Sequence, residues 1–260
     1  MNSKEQKLQA FSRLLDIMDE LREKCPWDRK QTLESLRHLT IEETYELTDA
    51  IMTNDLEEIK KELGDLILHI VFYSKIASEI QAFDIADVLQ GICDKLIKRH
   101  PHVYGDQAVS GEEEVKKNWE QIKLQEGKKS VLSGVPGSLP ALLKAYRVQE
   151  KVRGVGFEWG DKTQAWGKVK EEMEEFEQEI NRPEIDPKKA ELEFGDVLFS
   201  LISYALYQQI NPETALERTN RKFIKRFQFL EQTAQKAGKK LDEMTLAEMT
   251  TLWEASKALD

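Results

Sequence analysis

One acidic pattern is written twice in this chain, and it constrains the fold to something built from two copies of a single unit. Glu42-Glu43-x-x-Glu46 is followed by Glu62-x-Gly64-Asp65, and Glu171-Glu172-x-x-Glu175 is followed by Glu193-x-Gly195-Asp196. The Glu-Glu-x-x-Glu string occurs nowhere else among the 260 residues, and the gaps to the second string differ by only two positions. Self-similarity of this kind marks a repeated structural unit.

The chemistry lies in the three-residue spacing. Helix positions i and i+3 share a face, about 5–6 Å apart at Cβ, so Glu172 with Glu175 and Glu193 with Asp196 form carboxylate pairs, as do Glu43 with Glu46 and Glu62 with Asp65. Two such helices packed together gather four acids. Like charges that close bind protons unless a cation sits among them, and an all-oxygen set suits a hard ion, Mg²⁺ or Mn²⁺. The di-iron bundles of similar geometry need a Glu-x-x-His element. None of His38, His69, His100 and His102 has a glutamate three positions before it.

A single acidic pair on a helix is usually a solvated face. Duplication argues otherwise, and so do the residues after each aspartate. Leu66 to Tyr73 and Val197 to Ile202 are apolar nearly all round, the character of a buried helix. Gly64 and Gly195 add to this, because glycine inside a helix costs roughly 1 kcal/mol relative to alanine. They are expected either to admit a close approach by another backbone or ligand, or to serve a tight helix crossing.

The net charge of −10 gives no global attraction to polynucleotide or anionic membrane. Two cysteines, Cys25 and Cys93, offer neither a disulfide framework nor a zinc spacing. No apolar run approaches the roughly 20 residues of a membrane span, and the amino terminus carries no apolar signal segment. A reduced cytoplasm is the expected location.

Apolar residues recur at helical spacing, as in Leu8, Phe11, Leu14, Leu15, Met18 and Leu21, which predicts an all-α chain. Gly, Ser and Pro accumulate between Glu126 and Pro140, dividing the sequence into domains 1–127 and 141–260 with a linker at 128–140. A basic pair also repeats: Lys95 and Arg99 match Lys222 and Arg226. Acids that hold an ion, beside Lys and Arg that hold phosphoryl oxygens, are what a metal-chelated polyphosphate requires. Lys168 and Lys189 lie four residues before Glu172 and Glu193, either reaching phosphates or acting as ordinary i, i+4 partners. Trp253, in a late amphipathic segment, either stacks on a base or packs in the core, and packing is the expected role from the residues alone.

At these residues the chain resembles the MazG family of nucleoside triphosphate pyrophosphohydrolases. The resemblance spans nearly the whole length, including Cys25-Pro26-Trp27-Asp28, Leu39 to Glu46, Glu62 to Leu66, Lys98 to Val103, Trp119 to Lys123 and the second acidic unit. It implies an all-α fold of two tandem MazG-like helical bundles, a homodimer, and hydrolysis of NTPs to NMP and pyrophosphate. It further implies Mg²⁺ on Glu172, Glu175, Glu193 and Asp196, with Glu171 beside them. Lys222, Arg226 and Trp253 fall at its nucleotide-contacting positions, and the second domain is the catalytic one. In line with that, Asn220 precedes the second basic pair where the first has Cys93. The first domain keeps Glu42, Glu43, Glu46, Glu62 and Asp65, so binding or weak activity there stays open.

The expected mechanism is metal-assisted hydrolysis in which Glu171 or Glu172 orients or deprotonates the attacking water. No Walker loop is present. Two other readings compete: a nucleotide sensor that binds without turnover, and a helical interaction scaffold with a merely solvated acidic surface.

Overall fold

Each acidic helix begins at a side chain that accepts from its first turn, and these caps fall at matching places in the two copies. Thr32 caps α2 (Leu33–Thr53) and Asp161 caps α7 (Lys162–Ile180). Asp55 caps α3 (Leu56–Glu79) and Asp186 caps α8 (Pro187–Tyr207). A cap of this kind contributes about 1 kcal/mol, so the duplicated unit is defined by its helix starts as well as its acids. Pro187 is the first helical residue of α8, where its missing N–H is not needed.

The computed structural model describes residues 1–111, 114, 115, 118, 119, 122 and 130–259, and every regular element among them is a helix. The chain divides into units Met1–Ala108 and Val109–Asp260. Residues 130–140 form consecutive turns. The remainder of the expected linker, residues 128 and 129, lies outside the described residues, as does much of the Trp119–Lys123 motif.

In the first unit, α1 (Lys4–Lys24) packs on α3, α2 pairs with α3 along its length, and α4 (Ile85–Arg99) leads into the single turn α5 (Pro101–Tyr104). Met18, Leu36, Val71 and Phe72 form the core, with Phe11, Leu14, Leu15, Leu39, Leu68, Tyr73, Ile76 and Ile85 around them. Arg22 fastens α1 to α3: its Nε donates to Glu79 Oε1 at 2.8 Å, and its guanidinium lies 5.6 Å from the Phe72 ring centroid. Thr40 and Tyr73 hydroxyls, 2.6 Å apart, tie α2 to α3.

In the second unit, α6 (Ala141–Arg153) packs on α8, α7 pairs with α8, and α9 (Pro212–Lys236) carries α10 (Leu246–Ser256). Ala165, Val169, Val197 and Ile202 are buried. A further Glu-x-Gly-Asp string, Glu158 to Asp161, precedes α7 and does other work: Glu158 pairs with Arg153 at 2.6 Å, while Asp161 is the cap.

The expectation that α3 and α8 are buried all round is met on one face only. Leu63, Ile67 and Ile70 on α3, and Leu192, Phe194, Leu198, Phe199 and Leu201 on α8, are exposed in the single chain. The glycines correct a second expectation. A Cβ built at Gly64 or Gly195 meets nothing within 4 Å, so among the described residues no backbone approach and no helix crossing requires them, and the approach of a ligand stays open.

Candidate functional site

Pairing of α2 with α3, and of α7 with α8, turns acids from two helices toward one gap in each unit. One oxygen each of Glu43, Glu46 and Glu62 lie within 4.8 Å of one another, and Glu172, Glu175 and Glu193 repeat the arrangement. Asp65 and Asp196 stand one turn beyond Glu62 and Glu193, outside those sets. Asp65 is half-buried and its charge acts on Glu43. Asp196 is exposed, as are Glu42 and Glu171. In the second unit, the Phe176 and Phe194 rings, 5.4 Å between centroids, pin the two helices together beside Glu175 and Glu193.

The charges inside each set are strained against one another. Burial pushes the Glu43 carboxyl up, and Asp65, Glu62 and Glu46 add to the shift. Desolvation, then the Glu172 charge, raises Glu175. Both shifts arise first from desolvation and then from the neighbouring like charges. Each set carries one ammonium as a partial counterion. Lys61 Nζ donates to Glu62 Oε1 at 2.9 Å and to Glu58 Oε1 at 2.7 Å, holding Glu62 below the usual carboxylate range. Lys168 Nζ lies 2.8 Å from both Glu171 Oε1 and Glu172 Oε1. These ion pairs raise both lysines.

Glu62 has no exposed surface, and its second oxygen, Oε2, is buried without a hydrogen-bond partner. An unsatisfied buried carboxylate oxygen costs several kcal/mol. In the first unit, converging carboxylate oxygens and an orphaned oxygen describe a site short of positive charge, and the second unit repeats the convergence. A divalent cation with oxygen ligands fits it.

The other expected residues form a separate cluster. Lys222 and Arg226 share a face of α9, and the Arg226 guanidinium lies 5.7 Å from the Trp253 ring centroid on α10, with Phe223 5.0 Å from the same ring. Trp253 is thus half-buried, with Arg226 and Phe223 against its ring, rather than a core residue. Asn220 Nδ2 donates to Glu217 Oε2 at 3.3 Å, whereas Cys93 is an exposed free thiol. Lys189 is exposed in the first turn of α8. In the first unit, Lys95 and Arg99 stand on α4, exposed and half-buried respectively.

The pairing of Lys61 with Glu62 was not expected, because adjacent helix positions do not face each other. Only a flexible lysine stem reaching sideways makes the contact. A usable signal existed in the alignment of the two copies, which sets Lys61 opposite Leu192 and Leu39 opposite Lys168.

Among the described residues, this all-α chain carries two acid sets that could each hold a metal ion. Two segments, residues 31–104 and 163–228, match the MazG nucleotide pyrophosphohydrolase domain. The chain is 42% identical to "Nucleoside triphosphate pyrophosphohydrolase/pyrophosphatase MazG" of Thermotoga maritima, over 96% of each sequence. It is 38% identical to "Nucleoside triphosphate pyrophosphohydrolase" of Escherichia coli K12, over 96% of this chain and 98% of that one. A crystal structure of a MazG-related protein from Thermotoga maritima aligns with 44% of the chain at 29% identity and a TM-score of 0.39. The chain belongs to the MazG family.

Proposed function

We propose that this chain, a hydrolase of the MazG family acting on phosphorus anhydrides, cleaves nucleoside triphosphates (ATP, other NTPs and dNTPs) to NMP and pyrophosphate. Mg²⁺ is the cofactor in this reading and Mn²⁺ a substitute. The observation that carries it is the second acid set, in which Glu172, Glu175 and Glu193 bring oxygens within 4.8 Å of one another. Those three residues with Asp196 hold the ion, which when bound neutralises charge on the leaving pyrophosphate and acidifies water.

Glu171 stands exposed beside buried Glu172, and one of the two orients or deprotonates the attacking water. Lys168, Lys189, Lys222 and Arg226 take phosphoryl oxygens, and Trp253 stacks on the base. No side chain forms a covalent intermediate. The second domain, 141–260, is the main catalytic one. The first, 1–127, keeps a matching cage of Glu43, Glu46, Glu62 and Asp65 with Lys95 and Arg99 as its basic pair.

The exposed apolar faces of α3 and α8 support a homodimer, in which the basic cluster of one chain reaches the acid set of another. No helix among the described residues is long and apolar enough to cross a membrane. With the net charge of −10, this supports a cytoplasmic enzyme without polynucleotide partners. A panel of NTPs assayed for pyrophosphate release separates this reading from its rivals. Binding without release would favour a sensor, and absence of both binding and Mg²⁺-induced stabilisation would favour a scaffold.

A further inference from the structure

The two units share a basic pair, and they part company at the residue after each cation. Lys222-Phe223 and Arg226-Phe227 stand one turn apart on α9, whereas the first unit reads Lys95-Leu96 on α4 and Arg99-His100 at its end. A tryptophan is kept in both copies: Trp253 stands with Glu254 and Lys257 as Trp119 does with Glu120 and Lys123. With cations and tryptophan retained, the difference in this group falls on the two phenylalanines.

Phe223 and Phe227 share a face of α9, their rings stacked with 6.2 Å between centroids and 7° between planes. Phe223 in turn meets the Trp253 ring of α10 at 5.0 Å and 50°, a tilted contact of the kind that aromatic pairs favour. The buried residues of α9, Leu230 and Ala234, lie further along the helix. Phe223 and Phe227 remain 55% and 38% exposed, so these rings stand outside the packed part of the contact between α9 and α10. The first unit has no such row among its described residues. Its helix α4 ends at Arg99, and His100 Nδ1 lies 2.6 Å from the Leu96 carbonyl oxygen, which turns the imidazole back on its own helix.

We infer that Phe223 is a positioning residue for the nucleobase: with Phe227 stacked behind it, it fixes the plane of the Trp253 ring on which the base lies. This rests on the proposed role of Trp253. A tryptophan side chain turns about its own torsions, and a stacking surface binds best when its plane is set before the base arrives. Phe223 supplies one boundary, and Arg226, with its guanidinium 5.7 Å from the ring centroid, supplies another. Because Arg226 also takes a phosphoryl oxygen in the proposed function, the row sets the spacing between base and phosphates. That spacing selects a triphosphate carrying a base over a bare polyphosphate.

The test compares ATP with inorganic tripolyphosphate, which has the phosphates and no base, in the full chain with Mg²⁺. Phe223→Leu, which installs the first unit's residue, should raise KM for ATP by about fivefold while the inhibition constant of tripolyphosphate changes by less than about twofold. Phe223→Tyr keeps the ring and should hold KM within about twofold of the unaltered chain. Quenching of tryptophan emission by the non-hydrolysable α,β-methylene analogue of ATP gives a second readout. The part of it that Trp253→Phe abolishes should require about fivefold more analogue in Phe223→Leu. An unchanged KM in Phe223→Leu overturns the inference, and so does an equal rise in KM and in the tripolyphosphate constant, which marks a general disturbance of α9. If Phe223→Leu loses native helix content, Phe227→Leu decides in its place: a KM raised about twofold to threefold for ATP alone supports the inference, and no change refutes it. Trp253→Ala separates the two readings. If it leaves KM for ATP unchanged, the stacking role of Trp253 fails and the inference falls with it; if it raises KM while Phe223→Leu does not, the inference alone fails.

Discussion

Lys168 Nζ stands 2.8 Å from Glu172 Oε1, four residues ahead of it on α7, inside the acid set that the proposed function assigns to metal. In the proposed function, a tethered ammonium in that place is a provisional counterion that a metal would displace and a triphosphate recruit. Lys168→Met should tighten Mg²⁺ binding without nucleotide by about fivefold, equivalent to about 1 kcal/mol for a partly exposed pair. It should also raise KM for the triphosphate. Calorimetry and steady-state kinetics read the two effects, and a variant with both unchanged would remove Lys168 from the site.

The two units should respond unequally to loss of their acids. Glu172→Ala or Asp196→Ala is expected to lower hydrolysis by orders of magnitude, the scale of a lost metal. Glu43→Ala and Asp65→Ala should leave far more activity. Greater damage from the first-unit changes would reverse the assignment of roles.

Much of this architecture was legible in the sequence, because period and punctuation act locally. Helical spacing and capping residues such as Thr32 and Asp161 specify the helices, and the i, i+3 acids specify which face they share. Less legible was anything depending on reach or on a neighbour outside the chain. Lys61 finds Glu62 through a flexible stem, which spacing rules do not register. Gly195 suggests a close approach, yet nothing among the described residues makes one. Trp253 has the pattern of a packed residue, and only its contact with Arg226 shows where its ring stands.

Glu43 and Glu175 should each contribute stability to the metal-free chain that is lost as pH rises, and metal should recover it. Glu43 and Glu175 hold protons more tightly when folded, so the native state carries more bound protons than the unfolded state between the ordinary carboxylate range and the raised values. Stability therefore declines as pH rises through that window. Mg²⁺ binds the ionised form, so its increment in Tm should be larger at about pH 7.5 than at about pH 5. Equal increments at both would show that these carboxylates are not the ligands.

The exposed faces of α3 and α8 should make folding depend on association. The thermal midpoint is expected to rise with protein concentration. Gly195→Ala should preserve helix content, since alanine favours the helix by roughly 1 kcal/mol and nothing among the described residues obstructs its methyl. If a partner approaches there, the same change should weaken the dimer in sedimentation. A fully active monomer at micromolar concentration, on the order of a typical assay, would refute the assembly.

Phosphorus NMR of ATP incubated with the chain tests the central claim most directly. With Mg²⁺ present, AMP and pyrophosphate should accumulate in equal amounts, and exhaustive chelation should stop the reaction. ADP with inorganic phosphate, or hydrolysis that persists undiminished after chelation, would contradict the account.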